Sequence, residues 1–353
     1  MQKAGSFAGL KRALFAAGSV IVASATMGMA AAGTTRSPDP PGLAEAGFPA
    51  SLMPAEVPYR ETSPFRAIST LTPRLRARGY NACWVPDNGF GAYSRWQRIG
   101  MGQMIVPLRG GHTDDFGYDV VVHFHGHDAV RHAFVEAARG VVLVGIDLGN
   151  SSGPYEHAFE SSAAFPALLE KVQRGLVKAS GDARAHVRHL ALSSWSAGYG
   201  AVKRILAQSK GGIEAVVLLD SLHSGYEPRD DGAGRSMHRV WGPPISAVAD
   251  YAARAARGNV FLYMSHSEIV PPGYASTSQV ADYLIDRVGG VRTPRQAMSP
   301  LGAELVSGFD RRGMHVRGYL GGDKPAHCAH VTLLAETVRD DLEPAWQTPS
   351  AAP

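Results

Sequence analysis

The stretch "LALSSWSAGYGAVKRIL", residues 190–206, sets three serines beside a tryptophan, between an apolar run and a helix-like run. A serine hydroxyl becomes a nucleophile when it stands on a sharp strand-to-helix elbow within reach of an imidazole base. Such an elbow reverses the chain so tightly that the residues two before and two after it must be small. Ser193 has Ala191 and Trp195 at those places, and the indole does not fit. Ser194 has Leu192 and Ser196, and leucine fits poorly. Ser196 has Ser194 and Gly198, so it alone passes. Ala197, Gly198 and Gly200 would let the following helix lie close to a sheet, with its N-terminal N–H groups and positive dipole end facing the reacting oxygen.

The elements around this point must place the hydroxyl. Short apolar runs alternate with helix-like segments. Strands are predicted at "YDVVVHFHG" (118–126), "GVVLVGIDL" (140–148), "VRHLALSS" (187–194), "IEAVVLLD" (213–220), "NVFLYMS" (259–265) and "MHVRGYL" (314–320). Helices are predicted at 128–138, 165–179, 197–209, 244–258, 276–288 and 329–342, the first with Asp128 available as its cap. Strands this apolar are expected where helices cover both faces of a sheet. The alternation therefore predicts an α/β fold, a doubly wound, mostly parallel central sheet flanked by helices. Ligands of such sheets sit beyond the carboxyl ends of the strands.

Residues 194–198, S-x-S-x-G, resemble the G-x-S-x-G elbow of the α/β-hydrolase superfamily, with Ser194 in place of the first glycine. "VVVHFHGHDAV" ends a strand in His125-Gly126, similar to the HG motif of that family. The resemblance spans roughly residues 115–342 and implies a triad in the order serine, acid, histidine. "GGDKPAHCAHV" (321–331) then supplies the base, with His327 preferred over His330, which falls within the predicted helix. Two acids fit: Asp220 after the first strand beyond the elbow, and Glu268 in "FLYMSHSEIVPPG" just past the next strand, and they stay unseparated. The resemblance also implies an oxyanion hole from the backbone N–H of Ala197 with that of Gly126 or His127. Trp195 and His125 are candidates for substrate contact, although the indole could equally sit beneath the pocket. The implied activity is a secreted serine hydrolase acting on ester, or amide, bonds of small molecules through an acyl-enzyme, with no cofactor.

Two rival readings exist. His123, His125 and His127 would share one face of an extended strand, which suits a metal-dependent hydrolase. "HFHGHD" resembles the H-x-H-x-D-H of metallo-β-lactamase-like hydrolases, but here Asp128 follows the third histidine instead of preceding it. The other rival is a non-catalytic binding protein on the same scaffold. Residues 221–243, polar and rich in Gly and Arg, could contribute to substrate recognition, act as a flap or be plain surface loop.

Composition narrows the setting. Lys3, Lys11 and Arg12 precede the small, apolar "ALFAAGSVIVASATMGMA" and an A-x-A-like site in "MAAAG", the build of a secretory signal peptide over residues 1–32. Leaving out those three basic residues takes the net charge from +4 to about +1, and no basic run suggests nucleic acid. No later stretch is apolar and long enough to cross a membrane. The expected organisation continues with a Pro-rich arm over 33–75, the hydrolase domain over 76–345 and a frayed tail over 346–353. In an oxidising compartment the two cysteines, Cys83 and Cys328, are candidates for a disulfide.

Overall fold

Valine-rich strands and amphipathic helices assemble as the alternation requires. The computed structural model describes residues 85–228, 235–298 and 303–347, all of them within one unit, Ser63–Pro353. The expected signal peptide, most of the arm, Cys83 and residues 348–353 lie outside the described residues.

The described residues form twelve strands: β1 (Gln97–Ile99), β2 (Gly102–Ile105), β3 (Gly117–Phe124), β4 (Val142–Ile146), β5 (His186–Trp195), β6 (Ala215–Leu219), β7 (Tyr226–Pro228), β8 (Arg235–Val240), β9 (Phe261–His266), β10 (Thr293–Met298), β11 (Glu304–Arg311) and β12 (Met314–Tyr319). Ten form one sheet in the order β1-β2-β4-β3-β5-β6-β9-β12-β11-β10, while β7 and β8 make a separate hairpin. The six central strands, β4 to β12, are parallel to one another. Two antiparallel strands extend the sheet at each edge.

The helices are α1 (His127–Ala137), α2 (Ser152–Ala158), α3 (Ala164–Ser180), α4 (Tyr199–Gln208), α5 (Ser246–Ala256), α6 (Thr277–Arg287), α7 (Lys324–Ala329), α8 (Leu333–Thr337) and α9 (Glu343–Gln347). Alternate residues of β3 feed two cores, because successive side chains leave a strand on opposite faces. Val120, Val122 and Phe124 join Leu168 of α3, Val202 of α4, Val248 of α5 and Leu284 of α6. Val121 joins Val130 and Phe134 of α1 with Leu333 and Leu334 of α8. Both faces are thus covered, and the predicted doubly wound, mostly parallel sheet is present.

Two expectations change. The edge strands went unread because they are short or polar; every residue of β10, "TPRQAM", is exposed. The tail is not frayed at its start. Trp346 is buried in α9 and stacks on His189 at 5.6 Å with an interplanar angle of 2°, since a late indole finds apolar cover against the sheet. Among the described residues no helix is long and apolar enough to cross a membrane.

Candidate active site

From β3 the chain moves to β4 on one side, then returns to β5 on the other. That reversal opens a crevice beyond the carboxyl ends of β3 and β5, where ligands of open α/β sheets bind. Six non-glycine residues have left-handed backbone among the described residues, and four of them, His125, Ser196, Asp220 and Leu222, follow the ends of β3, β5 and β6. Such strain costs of order 1–3 kcal/mol per residue and persists only where the surroundings enforce it.

The three serines have different surroundings. Ser193 and Ser194 are fully buried. Ser193 hydrogen-bonds His123 Nδ1 at 2.9 Å, and Ser194 Oγ meets Ser221 Oγ at 2.8 Å. Ser196, at φ 49°, follows the end of β5 and lines a cleft of about 500 Å³. A Cβ on Gly198 would stand 2.1 Å from the Phe124 carbonyl oxygen, so nothing larger than glycine fits two residues on. Two residues before, Ser194 is accommodated through its partner: the Ser221 hydroxyl also donates to the Ser196 carbonyl at 2.8 Å, tying the elbow to the end of β6.

Of the two acids, the structure brings Asp220 to the histidine. His327 Nδ1–H donates to Asp220 Oδ2 at 2.7 Å. With that proton on Nδ1, the neutral ring keeps its lone pair on Nε2, the form a general base needs. The same carboxylate accepts from Ser267 N (2.9 Å), Ser267 Oγ (2.7 Å) and Thr277 Oγ1 (2.6 Å). Burial disfavours its charge, but the imidazoles of His330 and His327 and the Thr277 hydroxyl outweigh this and hold its pKa below the ordinary carboxylate value. Glu268 goes elsewhere. Its carboxylate accepts from Gly321 N at 3.1 Å, and its own N–H donates to Gly321 O at 2.9 Å, clasping the loop after β9 to the loop after β12.

His327 lies in α7, which begins earlier than the helix predicted from the sequence. Asp323 caps it by accepting from Ala326 N at 3.0 Å, and Pro325 occupies its first turn. Cys328 is disulfide-bonded. His330 is fully buried, with Nδ1 on Ser265 Oγ at 2.8 Å, and burial pushes its imidazole down to about 4.

The indole of Trp195 lies between two imidazoles, His327 at 4.8 Å and 25°, His125 at 5.2 Å and 14°. Its Nε1–H donates to the His327 carbonyl at 3.1 Å. Neither Trp195 nor His125 lines the cleft. The residue before the elbow thus packs against His327, through both its ring and its backbone carbonyl. Gly126 permits this arrangement, because a Cβ there would stand 2.6 Å from the indole.

His123, His125 and His127 are not brought together as a metal site. The strand ends at Phe124 and His125 turns to φ 74°, so the alternation that would align them stops. His123 is fully buried; its Nε2–H donates to His125 O at 2.7 Å, and burial lowers its pKa to about 3. His125 and His127 both turn to Asp147, at 3.2 and 2.8 Å. Among the described residues no group of three or more His, Cys, Asp or Glu is arranged to hold a metal.

Asp147, at the end of β4, escaped the sequence reading. Its Oδ1 also accepts from Gly126 N and from Tyr155 OH, both at 3.1 Å. Burial opposes its charge, yet the hydrogen bonds from His125, His127 and Gly126 hold it below the usual carboxylate range. Of the two expected N–H donors on this loop, that of Gly126 is therefore engaged by Asp147. His127 opens α1 and Ala197 lies in the single 3₁₀ turn Ser196–Gly198; N–H groups in a first turn have no intrahelical acceptor. Asp147, Ser221, Ser267 and Thr277 each lie at or just past a strand end or at a helix start, the one signal that could have found them.

No protein-family model and no curated protein matches the chain. Among solved structures it is similar to an IroE-like serine hydrolase from Shewanella oneidensis, at 13% identity and a TM-score of 0.43 over 73% of this chain and 82% of that one. It is also similar to the enterobactin esterase of Shigella flexneri, at 10% identity and a TM-score of 0.43 over 76% and 64% of the two chains. A third similarity is to a cold-adapted esterase from an Arctic intertidal metagenomic library, at 12% identity and a TM-score of 0.37 over 71% and 99%.

Proposed function

We propose that the chain is a serine hydrolase that cleaves carboxylic esters of small molecules through Ser196, His327 and Asp220. The carrying observation is the 2.7 Å pair of His327 Nδ1 with the buried Asp220, on a histidine whose carbonyl accepts from Trp195, the residue before the strained Ser196 elbow. Ser196 Oγ bonds to the ester carbonyl carbon as its proton passes to His327 Nε2, and Asp220 stabilises the resulting imidazolium. The N–H groups of Ala197 and His127 receive the developing oxyanion; loss of one such donor typically costs about 10²–10³ in turnover. Collapse breaks the bond to the alcohol, which leaves with the proton from His327. Water then attacks the acyl-enzyme, His327 takes its proton, and the same proton returns to Ser196 as the acid departs. Glu268 has no part in these steps. The basic head and apolar run of residues 1–32 support export as the route by which the enzyme meets its substrate.

A panel of p-nitrophenyl esters of increasing acyl length tests the reading. Hydrolysis is expected with short acyl groups, and it should vanish in both Ser196→Ala and His327→Ala. Activity surviving in purified Ser196→Ala would overturn the assignment.

A further inference from the structure

The cleft beside Ser196 has a distinct wall. His223 meets the Tyr274 ring edge-to-face at 5.1 Å and 89°, and the Tyr199 ring at 5.7 Å and 68°. Trp241 lines the same space. Aromatic rings pair favourably in offset-stacked or edge-to-face geometry, so a wall of rings presented at steep angles suits an aromatic guest. The volume, about 500 Å³, suits a small molecule. Among the described residues Lys203 is the one Lys, Arg, Asp or Glu side chain lining it, and its Nζ is paired with Glu156 at 2.9 Å. Among the described residues the cleft therefore offers no unneutralised charge to an ionic substrate.

His223 adds direction. Its Nδ1 lies 3.1 Å from the Ala275 carbonyl, an acceptor only, so Nδ1 carries the proton. Burial lowers the pKa of this ring and favours its neutral form. Nε2 is then a lone-pair acceptor, without a hydrogen-bond partner among the described residues, on a side chain that faces the cleft.

Resting on the Ser196 reading, we propose that this cleft selects neutral esters bearing an aromatic ring with an O–H or N–H donor, and that His223 Nε2 is the acceptor that reads the donor. A site built around a hydrogen bond rejects the analogue lacking the donor, since its own polar atom is left unpaired. His223 is in this sense a specificity-determining residue, which the sequence placed only within a polar loop.

The test compares 3-hydroxyphenyl with 3-methoxyphenyl acetate, and methyl 3-hydroxybenzoate with methyl 3-methoxybenzoate. Either the alcohol or the acyl part can thereby carry the ring. The kcat/KM ratio of hydroxy to methoxy ester is expected to reach about tenfold in at least one pair, the worth of one hydrogen bond, and to fall to about one in His223→Phe, which keeps a ring and removes the acceptor. A wild-type ratio near one in both pairs, or a ratio that survives in His223→Phe, would overturn the proposal. Should that variant fail to fold, the wild type decides alone: 3-hydroxybenzyl alcohol should slow fluorophosphonate labelling of Ser196 at lower concentration than 3-methoxybenzyl alcohol, and equal protection overturns it. Labelling of Ser196 without donor selectivity sinks this inference only; no labelling sinks the hydrolase reading as well.

Discussion

Two carboxylate–imidazole pairs flank one indole. Trp195 stacks on the imidazole of each: His327 meets Asp220, and His125 meets Asp147. Each pair is backed by a buried histidine, His330 reaching Asp220 through the Ser265 hydroxyl and His123 bonding the His125 carbonyl. The surroundings differ. The Asp220 side chain is 3% exposed and takes three further donors from Ser267 and Thr277. Asp147 is 40% exposed and spends its oxygens on a backbone N–H, a tyrosine and two histidines of one loop. The same chemical pair thus serves two ends. A buried, saturated carboxylate fixes the tautomer of one ring, while a more open one clasps the turn between β3 and α1.

If this division is right, the pairs respond unequally to substitution. Asp220→Asn removes the charge that steadies the imidazolium and is expected to lower kcat by about 10³–10⁴. Glu268→Gln, at the rival acid, should change kcat by less than about threefold; steady-state kinetics on a p-nitrophenyl ester compares the two directly, and a larger loss in Glu268→Gln reverses the assignment. Asp147→Asn loosens the clasp on the loop, with kcat expected to fall about 10–100-fold while KM moves little, because the N–H donors act most in the transition state. An effect as large as that of Asp220→Asn would make Asp147 part of the reacting machinery. Trp195→Phe keeps a ring between the imidazoles but loses the bond to the His327 carbonyl, worth about 1 kcal/mol, or roughly fivefold in kcat.

The buried partners make a smaller, stability-side comparison. His123 and His330 titrate near 6.5 when unfolded, but burial holds them at about 3 and about 4 in the fold. Between those values the unfolded chain binds protons that the folded chain does not. Their contribution is therefore complete above pH 6.5 and is lost as pH falls toward 4, at up to about 1.4 kcal/mol per pH unit per histidine. Urea midpoints at pH 7.5, 6 and 5 should fall steadily; a flat series would show that the two rings are already charged in the fold.

Much of this arrangement was legible in the sequence where local sterics or periodicity decide it. The ±2 rule singles out Ser196 because Trp195, two after Ser193, does not fit a reversing chain and Leu192, two before Ser194, fits it poorly; valine runs mark the central strands. The choice between Asp220 and Glu268 was not legible, because it depends on where Gly321 and Thr277 arrive from other strands. Trp195 was ambiguous for a similar reason: only the approach of two imidazoles shows which way its ring is turned. Asp147 carried no motif, and the clasp it forms joins residues some twenty positions apart across a parallel pair.

The most direct measurement is covalent labelling of the purified chain with a fluorophosphonate, followed by peptide mapping. One label per chain on Ser196 is expected, fast in the wild type, slowed by at least 10³ in His327→Ala and absent in Ser196→Ala. A folded wild type that takes no label, or takes it on Ser193 or Ser194, would contradict the account.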